Sequence, residues 1–251
     1  MSQVPRVTLV TGASRGIGRA VALALSAAGV HVIALARTQG ALEELDDQIR
    51  ALRPGEESLA TLVPCDLRDY AAIDRLGEAI YKRWGRLDAF VGNAGILGPL
   101  SPLHHVDPKP WDDVLAINVT ANYRLIRALD PLLRESKAGR VVFLTSGVAH
   151  RSDMRAYWAP YAVSKAALDA LARTYAAETL NTSSIRVMLV NPGPLRTRMR
   201  ATAMPGEDPL GLRTPEELAP KIVEICGPES RETGKLYDFP LDKILSFRSP
   251  E

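Results

Sequence analysis

The chain has 251 residues, 46% of them hydrophobic and 24% charged, the profile of one ordinary globular α/β domain long enough to bury a full core. A net charge of +2 and a pI near 8.6 leave no large basic field of the kind that nucleic-acid binding requires. The most apolar region, 20–36, is broken by Gly29 and His31, so neither a signal peptide nor a membrane span is expected. Cys65 and Cys226 stand far apart, with neither metal-ligand spacing nor a disulfide framework, and read as buried free thiols in a reducing cytoplasm.

Short apolar runs alternate with longer helical patterns along the chain. Strands are expected at 7–10, 30–35, 59–63, 87–91, 141–144, 185–190 and 235–239. Helices are expected at 15–28, 39–52, 69–84, 111–133, 160–179 and 215–225. The alternation predicts an α/β fold, a single domain over 1–251 built on a doubly wound, seven-stranded parallel sheet. Ligands of such sheets bind beyond the carboxyl ends of the strands, so the residues just after each strand carry the argument.

After the first strand comes Thr11-Gly12-Ala13-Ser14-Arg15-Gly16-Ile17-Gly18, leading into an apolar helix. Glycines there permit a tight turn at Gly12, close approach of backbone to a pyrophosphate at Gly16 and close packing of helix on strand at Gly18. The phosphates would sit at the positive helix N-terminus. A glycine cluster alone is only a turn; the flanking strand and helix make it a nucleotide site.

After the second strand, Ala36-Arg37-Thr38 lacks the acid that accepts from a free ribose 2′-hydroxyl. Arg37 and Arg15 instead suit a 2′-phosphate, which favours NADP over NAD; the alternative is two solvated surface arginines. Asp66, after the third strand, suits either the adenine amino group or the N-cap of the helix near Asp69. After the fourth strand, Asn93-Ala94-Gly95 is a small-residue turn against which a cofactor can lie.

Tyr161 and Lys165 stand four apart at the start of a helical pattern and share a face. An ammonium beside a phenol stabilises the phenolate and brings its proton exchange toward neutral pH. Ser146 ends the fifth strand, where its hydroxyl can reach a substrate carbonyl oxygen. Asn118 is an amide in an apolar helical stretch, suited either to holding a water near Lys165 or to a satisfied structural role. Tyr157 and Trp158 are expected as pocket walls. Arg196, Arg198, Arg200 and Arg213 flank an expected substrate lid at 193–215, either receiving an anion or forming a solvated face. His104, His105 and Asp107 look like a metal cluster only superficially, and no metal is expected.

Taken in order, Thr11 to Gly18, Asn93-Ala94-Gly95, Asn118, Ser146, Tyr161-x-x-x-Lys165 and the run from Asn191 through Pro192, Gly193, Pro194, Leu195 and Arg196 to Thr197 resemble the classical short-chain dehydrogenases/reductases over almost the whole chain. The segments Ala159 to Lys165 and Met199 to Pro209 are similar to bacterial 3-oxoacyl-acyl-carrier-protein reductase-like oxidoreductases. The resemblance implies a Rossmann-type fold and hydride transfer between NADP(H) and a carbonyl or secondary alcohol. It implies Tyr161 as general acid-base and Ser146 as orienter of the substrate oxygen. Lys165 is implied as the ribose-binding residue that lowers the tyrosine pKa, and Asn118 as holder of a relay water. The cofactor set it implies is Gly12, Ser14, Arg15, Gly16, Ile17, Gly18, Arg37, Asp66, Leu67, Asn93, Ala94, Gly95, Tyr161, Lys165, Pro192, Gly193, Leu195 and Thr197. A homodimer or homotetramer follows from the same resemblance, pairing the helices 111–133 and 160–179, although a buried core explains their apolar surface equally well. The chain departs from the family in a longer loop between Ser146 and Tyr161, and in lacking the Asp-Gly-Gly ending of its last strand. Two other readings stand beside a carbonyl reductase: an NAD-linked alcohol, sugar or steroid dehydrogenase, and a noncatalytic NADP-binding redox sensor.

Overall fold

The computed structural model describes residues 5–52, 54–55, 57–150 and 153–247; both ends of the expected 1–251 domain lie outside them. Eight strands form one sheet: β1 Val7–Thr11, β2 His31–Ala36, β3 Ala60–Pro64, β4 Ala89–Gly92, β5 Arg140–Leu144, β6 Arg186–Asn191, β7 Lys235–Asp238 and β8 Lys243–Leu245. Their order is β3-β2-β1-β4-β5-β6-β7-β8. The first seven run parallel and β8 pairs antiparallel with β7. The sheet is therefore doubly wound, with one strand more than expected. Exposed β8 is Lys243 followed by two apolar residues, too few to leave an alternating pattern. The strand order reverses between β1 and β4, which opens a crevice at their carboxyl ends.

Helices α1 Gly16–Ala27, α2 Gln39–Leu52 and α8 Pro215–Cys226 cover one face of the sheet. The other face carries α3 Tyr70–Trp84, α5 Ala121–Arg134 and α6 Ala159–Thr179; α4 Pro108–Leu115 leads into α5 and α7 Arg198–Ala203 follows β6. Strands covered on both sides read as continuous apolar runs. In β1, Val10 packs toward Val21, Leu25, Leu218 and Ile222, while Val7 and Leu9 pack toward Ile73, Leu125 and Leu129. Phe90 and Phe143 meet edge to face at 5.6 Å between neighbouring strands.

Local chemistry sets the boundaries. Asp69 caps α3 by accepting from Ala72 N at 2.9 Å, and Gly85 ends that helix at a φ of 68°. Thr214 and Glu217 form a capping box on α8. β4 starts at Ala89 rather than Leu87 because Asp88 turns its carboxylate to Val7 N at 2.9 Å and Ser136 Oγ at 2.7 Å. The single helix expected over 111–133 is α4 and α5 joined by a π-turn at Ala116–Thr120. Cys226 is buried but Cys65 is only half-buried, and both thiols are free. His104 and His105 lie exposed on a short 3₁₀ turn with ring centres 4.1 Å apart. Among the described residues no helix is long and apolar enough to cross a membrane, and no group of three or more His, Cys, Asp or Glu side chains is placed to hold a metal ion.

Two glycines on helices should answer the same substitution with opposite signs. A Cβ on Gly77 of α3 would stand 2.6 Å from the Ala128 carbonyl oxygen on α5, whereas one on Gly40 of α2 meets nothing. Gly77→Ala is expected to destabilise the fold by about 1–3 kcal/mol through overpacking. Gly40→Ala should stabilise it by about 0.4–1 kcal/mol through helix propensity. Urea denaturation checks both, and equal effects would contradict the packing of α3 on α5.

Candidate active site

Beyond Thr11 the chain turns through Gly12 and Gly16, at φ of 67° and 54°, a region glycine enters without steric penalty. Arg15 is extended and gives no side-chain cap to α1, whose first turn holds no acid. The positive end of α1 therefore faces the crevice with its N–H groups available to an anion. Gly18 has no space for a side chain, because a Cβ would lie 2.3 Å from the Gly12 carbonyl oxygen and 2.5 Å from Asn93 Nδ2.

Asn93 crosses from the end of β4, and its Nδ2 donates to the Thr11 carbonyl at 2.8 Å. In return the Thr11 hydroxyl accepts from the Asn93 and Ala94 N–H groups, each at 3.1 Å. Thr11 thus fastens the two turns of the crevice together, a role the sequence reading did not assign. The available signal was a hydroxyl ending an apolar strand.

Arg37 and Arg15 are both exposed at the crevice's outer end, and no acid follows β2 within Arg37-Thr38-Gln39-Gly40. Arg68 grips Asp66, with Nη2 to Oδ2 at 2.7 Å and backbone N to Oδ1 at 2.9 Å. That grip holds the Asp66 carboxyl below the usual carboxylate range, and Arg37 adds to it through charge. Because Asp69 caps α3, the N-cap alternative for Asp66 is excluded. Leu67 is buried beside it.

The other candidates meet where β5 and α6 converge. Pro160 in the first turn suits the start of α6. One face of that helix carries the half-buried Tyr161 and the buried Lys165. Lys165 Nζ donates to the Leu144 carbonyl at 2.7 Å and stands 5.7 Å from the centre of the Tyr161 ring. Ser146 follows β5, and its oxygen accepts from Val148 N at 3.4 Å, capping a 3₁₀ turn at Gly147–Ala149. Its hydroxyl also reaches the Tyr161 phenol.

Asn118 lies on the π-turn, fully buried. Its Oδ1 accepts from Ile96 N at 2.9 Å, and its Nδ2 donates to the Ile96 carbonyl at 3.0 Å and to Ser164 Oγ at 2.9 Å. The amide is thus satisfied by protein groups, and it pins the Asn93–Ile96 loop against α6. A Cβ on Gly95 would come within 3.2 Å of Asn118 Oδ1 and 3.6 Å of Lys165 Nζ, which shows how closely these three segments meet.

Burial pushes the Tyr161 phenol up to about 12, and the Ser146 hydrogen bond only partly opposes it. Burial also pushes the Lys165 ammonium down to about 8 against the charge of Asp169. The expectation of a lysine-lowered phenol is therefore corrected: the phenol is raised. The ammonium points at the Leu144 carbonyl rather than at the phenol oxygen, and desolvation outweighs its influence.

The segment after β6 closes the arrangement. Asn191 donates to Asp238 at 2.8 Å and accepts from Gly193 N at 3.1 Å. At a φ of 64°, Gly193 packs against Pro240, where a Cβ would lie 2.4 Å from Cγ. Leu195 bridges to Arg213. Thr197 caps α7 through Arg200 N at 3.2 Å, and its methyl lies 3.7 Å from where a Gly16 Cβ would stand. Three of the four arginines expected around this segment are engaged, two within it and Arg213 with α8. Arg200 pairs with Glu207 at 2.5 Å, Arg196 donates to the Pro209 carbonyl at 2.8 Å, and Arg213 pairs with Glu217 at 3.0 Å.

A cavity of about 300 Å³ lies between these pieces, with Ser146 and Tyr161 on one wall and Leu97, Val148, Trp158 and Met199 among its apolar lining. Ile17, Pro192 and Thr197 border it too, so it is continuous with the glycine turn. Tyr157, expected as a wall, points away: it is 60% exposed at a φ of 70°. Its backbone instead accepts a hydrogen bond from Ser101 N at 3.1 Å.

The short chain dehydrogenase model matches residues 6–208, the stretch that holds the glycine turn opening α1 and the Ser146, Tyr161 and Lys165 cluster. The chain belongs to the short chain dehydrogenase family. Family members are NAD(P)-dependent oxidoreductases, and so is this chain. It is 37% identical to an uncharacterized oxidoreductase of Escherichia coli, YciK, over 93% of this chain and 91% of that one. It is 32% identical to the 3-oxoacyl-acyl-carrier-protein reductase FabG of Salmonella typhimurium over 79% and 77% of the two chains. A short chain dehydrogenase of Escherichia coli CFT073, solved in complex with NADPH, superposes with a TM-score of 0.85 at 38% identity, covering 93% of this chain and 95% of that one.

For this dehydrogenase the Thr11 fastening gives a direct test. Thr11→Val leaves the Asn93 and Ala94 N–H groups without their acceptor and is expected to destabilise the fold by about 1–3 kcal/mol, with weaker dinucleotide binding. Denaturant midpoint and NADPH fluorescence titration measure the two effects. Unchanged values in both would show that the junction is held by other contacts.

Proposed function

We propose that this chain is an NADPH-dependent carbonyl reductase acting on ketones, with 3-oxoacyl groups as the leading substrate class. The observation that carries this reading is the convergence of Ser146 and Tyr161 on one cavity that runs into an anion-accepting helix terminus, with the buried Lys165 ammonium 5.7 Å from the Tyr161 ring centre. The residues present fit a nicotinamide dinucleotide: side-chain-free glycines at 12, 16 and 18, uncapped N–H groups on α1, and the small turn Asn93-Ala94-Gly95 opposite them. Arg37 and Arg15 suit a 2′-phosphate, and the absence of an acid after β2 supports NADPH over NADH. Similarity to a dehydrogenase crystallised with NADPH points the same way.

When bound, the dinucleotide supplies a hydride to the carbonyl carbon. The protein's part is positioning and proton transfer. Ser146 donates a hydrogen bond to the carbonyl oxygen, and the Tyr161 hydroxyl gives that oxygen its proton. A phenol raised by burial is protonated at neutral pH, the form that reduction needs. Lys165 holds the nicotinamide ribose, its ammonium anchored on the Leu144 carbonyl. Asn118 holds the Ile96 backbone against the Ser164 hydroxyl, next to Lys165 on α6. The segment 193–215 acts as substrate lid, braced by its arginine pairs. Its apolar lining suits a small acyl chain or ring.

Exposed Tyr123 and Val163 on α5 and α6 support a homodimer or homotetramer through those helices. A cytoplasmic setting accords with the free thiols.

Tyr161→Phe is expected to lower kcat by at least about 100-fold while NADPH affinity holds, measured by turnover on 3-oxoacyl thioesters, diketones and aldehydes beside fluorescence titration. Turnover that survives the change contradicts Tyr161 as the proton donor. Arg37→Asp should weaken NADPH by about ten- to a hundredfold and leave NADH unharmed. Equal loss for both dinucleotides would remove the 2′-phosphate role.

A further inference from the structure

One buried polar cluster stands outside the roles assigned so far. Asp169 lies one turn beyond Lys165 on the same face of α6 and is 5% exposed. It is the one carboxylate, among the described residues, whose charge acts on the Lys165 ammonium. His150 Nδ1 stands 3.2 Å from Asp169 Oδ2. His150 directly follows the Gly147–Ala149 turn that Ser146 caps, so this contact joins the Ser146 turn to the helix bearing Tyr161 and Lys165. A buried carboxylate without compensation carries a heavy desolvation penalty, and its Oδ1 accepts no hydrogen bond from a described residue. The Thr145 hydroxyl opposite it and the charges of Lys165 and Arg173 offset part of that penalty.

Resting on the reductase reading for its catalytic consequence, we propose that Asp169, oriented by His150, is a positioning residue: its carboxylate keeps the buried Lys165 ammonium charged and ties the Ser146 turn to α6. The groups facing this cluster are Tyr161 and Arg173 from α6, Thr145 and the Leu144 carbonyl from the end of β5, His150 from the turn, Asn118 from the π-turn, and Asp238 from β7 acting on His150. Arg173 also acts on Asp169 but lies over the Phe247 ring at 4.4 Å. Burial drives Lys165 down and Asp169 up, to about 8 and about 7, and each charge offsets part of the other's penalty. Removal of the carboxylate must then lower the lysine further.

The test titrates Lys165 directly in the whole protein, using lysine labelled with carbon-13 at Cε and assigned by the loss of its resonance in Lys165→Met. Asp169→Asn is expected to lower the Lys165 midpoint by about one pH unit, and Asp169→Leu, a second charge-free variant, to do the same. Melting curves establish that each variant folds. His150→Ala should move the midpoint in the same direction by less. The alkaline limb of kcat/KM should follow these midpoints. If both Asp169 variants titrate with the wild type, the inference is overturned; if only His150→Ala does so, the orienting role of the ring falls. If the midpoint moves but no carbonyl is reduced by the wild type, the Asp169 inference stands and the reductase reading fails.

Discussion

A lysine ammonium held out of water at the carboxyl edge of the sheet is the constraint around which the site is built. Lys165 takes up that position because α6 packs over β5 and β6, its Nζ reaching the Leu144 carbonyl at 2.7 Å. Moving a cation from water to such a place is expensive unless polar partners are arranged before it arrives. The Leu144 carbonyl supplies a hydrogen bond and the Asp169 carboxylate an opposite charge. Helix α6 bears the ammonium, the phenol and the balancing carboxylate at four-residue intervals, so one rigid element fixes their relative geometry. The β5 end brings Ser146 to the same spot, and the π-turn brings Asn118. A dinucleotide reaching this lysine must run along the crevice from α1. Its line is kept open by glycines that admit no Cβ and by the mutual hydrogen bonds of Thr11 and Asn93.

The two ends of the crevice differ in how they handle charge. Near Lys165 the groups are buried, paired and mutually perturbed. Near Arg37 and Arg15 they are exposed, where charges act through reach and geometry rather than through desolvation. The inner end therefore suits chemistry, which needs shifted proton affinities. The outer end suits discrimination between dinucleotides that differ by one phosphate. Asp66 illustrates the boundary, since Arg68 occupies its carboxylate at the surface. Between the ends, the segment after β6 spans the cleft and is braced by arginines that the sequence reading left free to meet an anion.

Much of this was legible in the sequence because it depends on local rules. The alternation of apolar runs with helical patterns gave the seven parallel strands, and the glycine turn between strand and helix gave the crevice. Tyr161 and Lys165 shared a face by helical spacing alone. Properties set by burial were not legible. The phenol is raised rather than lowered because neighbours far along the chain remove its water and because the ammonium turns to Leu144. The π-turn at Ala116–Thr120 has no composition of its own and read as continuous helix. The short β8, the shifted start of β4 at Asp88 and the outward Tyr157 all follow from tertiary pairing. His150 and Asp169 drew no notice because they stand 19 positions apart and meet only when the Ser146 turn packs on α6.

The central claim is that this chain moves a hydride from NADPH to a carbonyl carbon. It is tested most directly by following the label from NADPH deuterated at the transferring position of the nicotinamide ring, with purified protein, a panel of ketones and mass spectrometry of the products. The account predicts one deuterium on the carbinol carbon of a reduced ketone. NADPH that binds tightly yet delivers no deuterium to any carbonyl of the panel would contradict it, and would favour a protein that senses the dinucleotide rather than spends it.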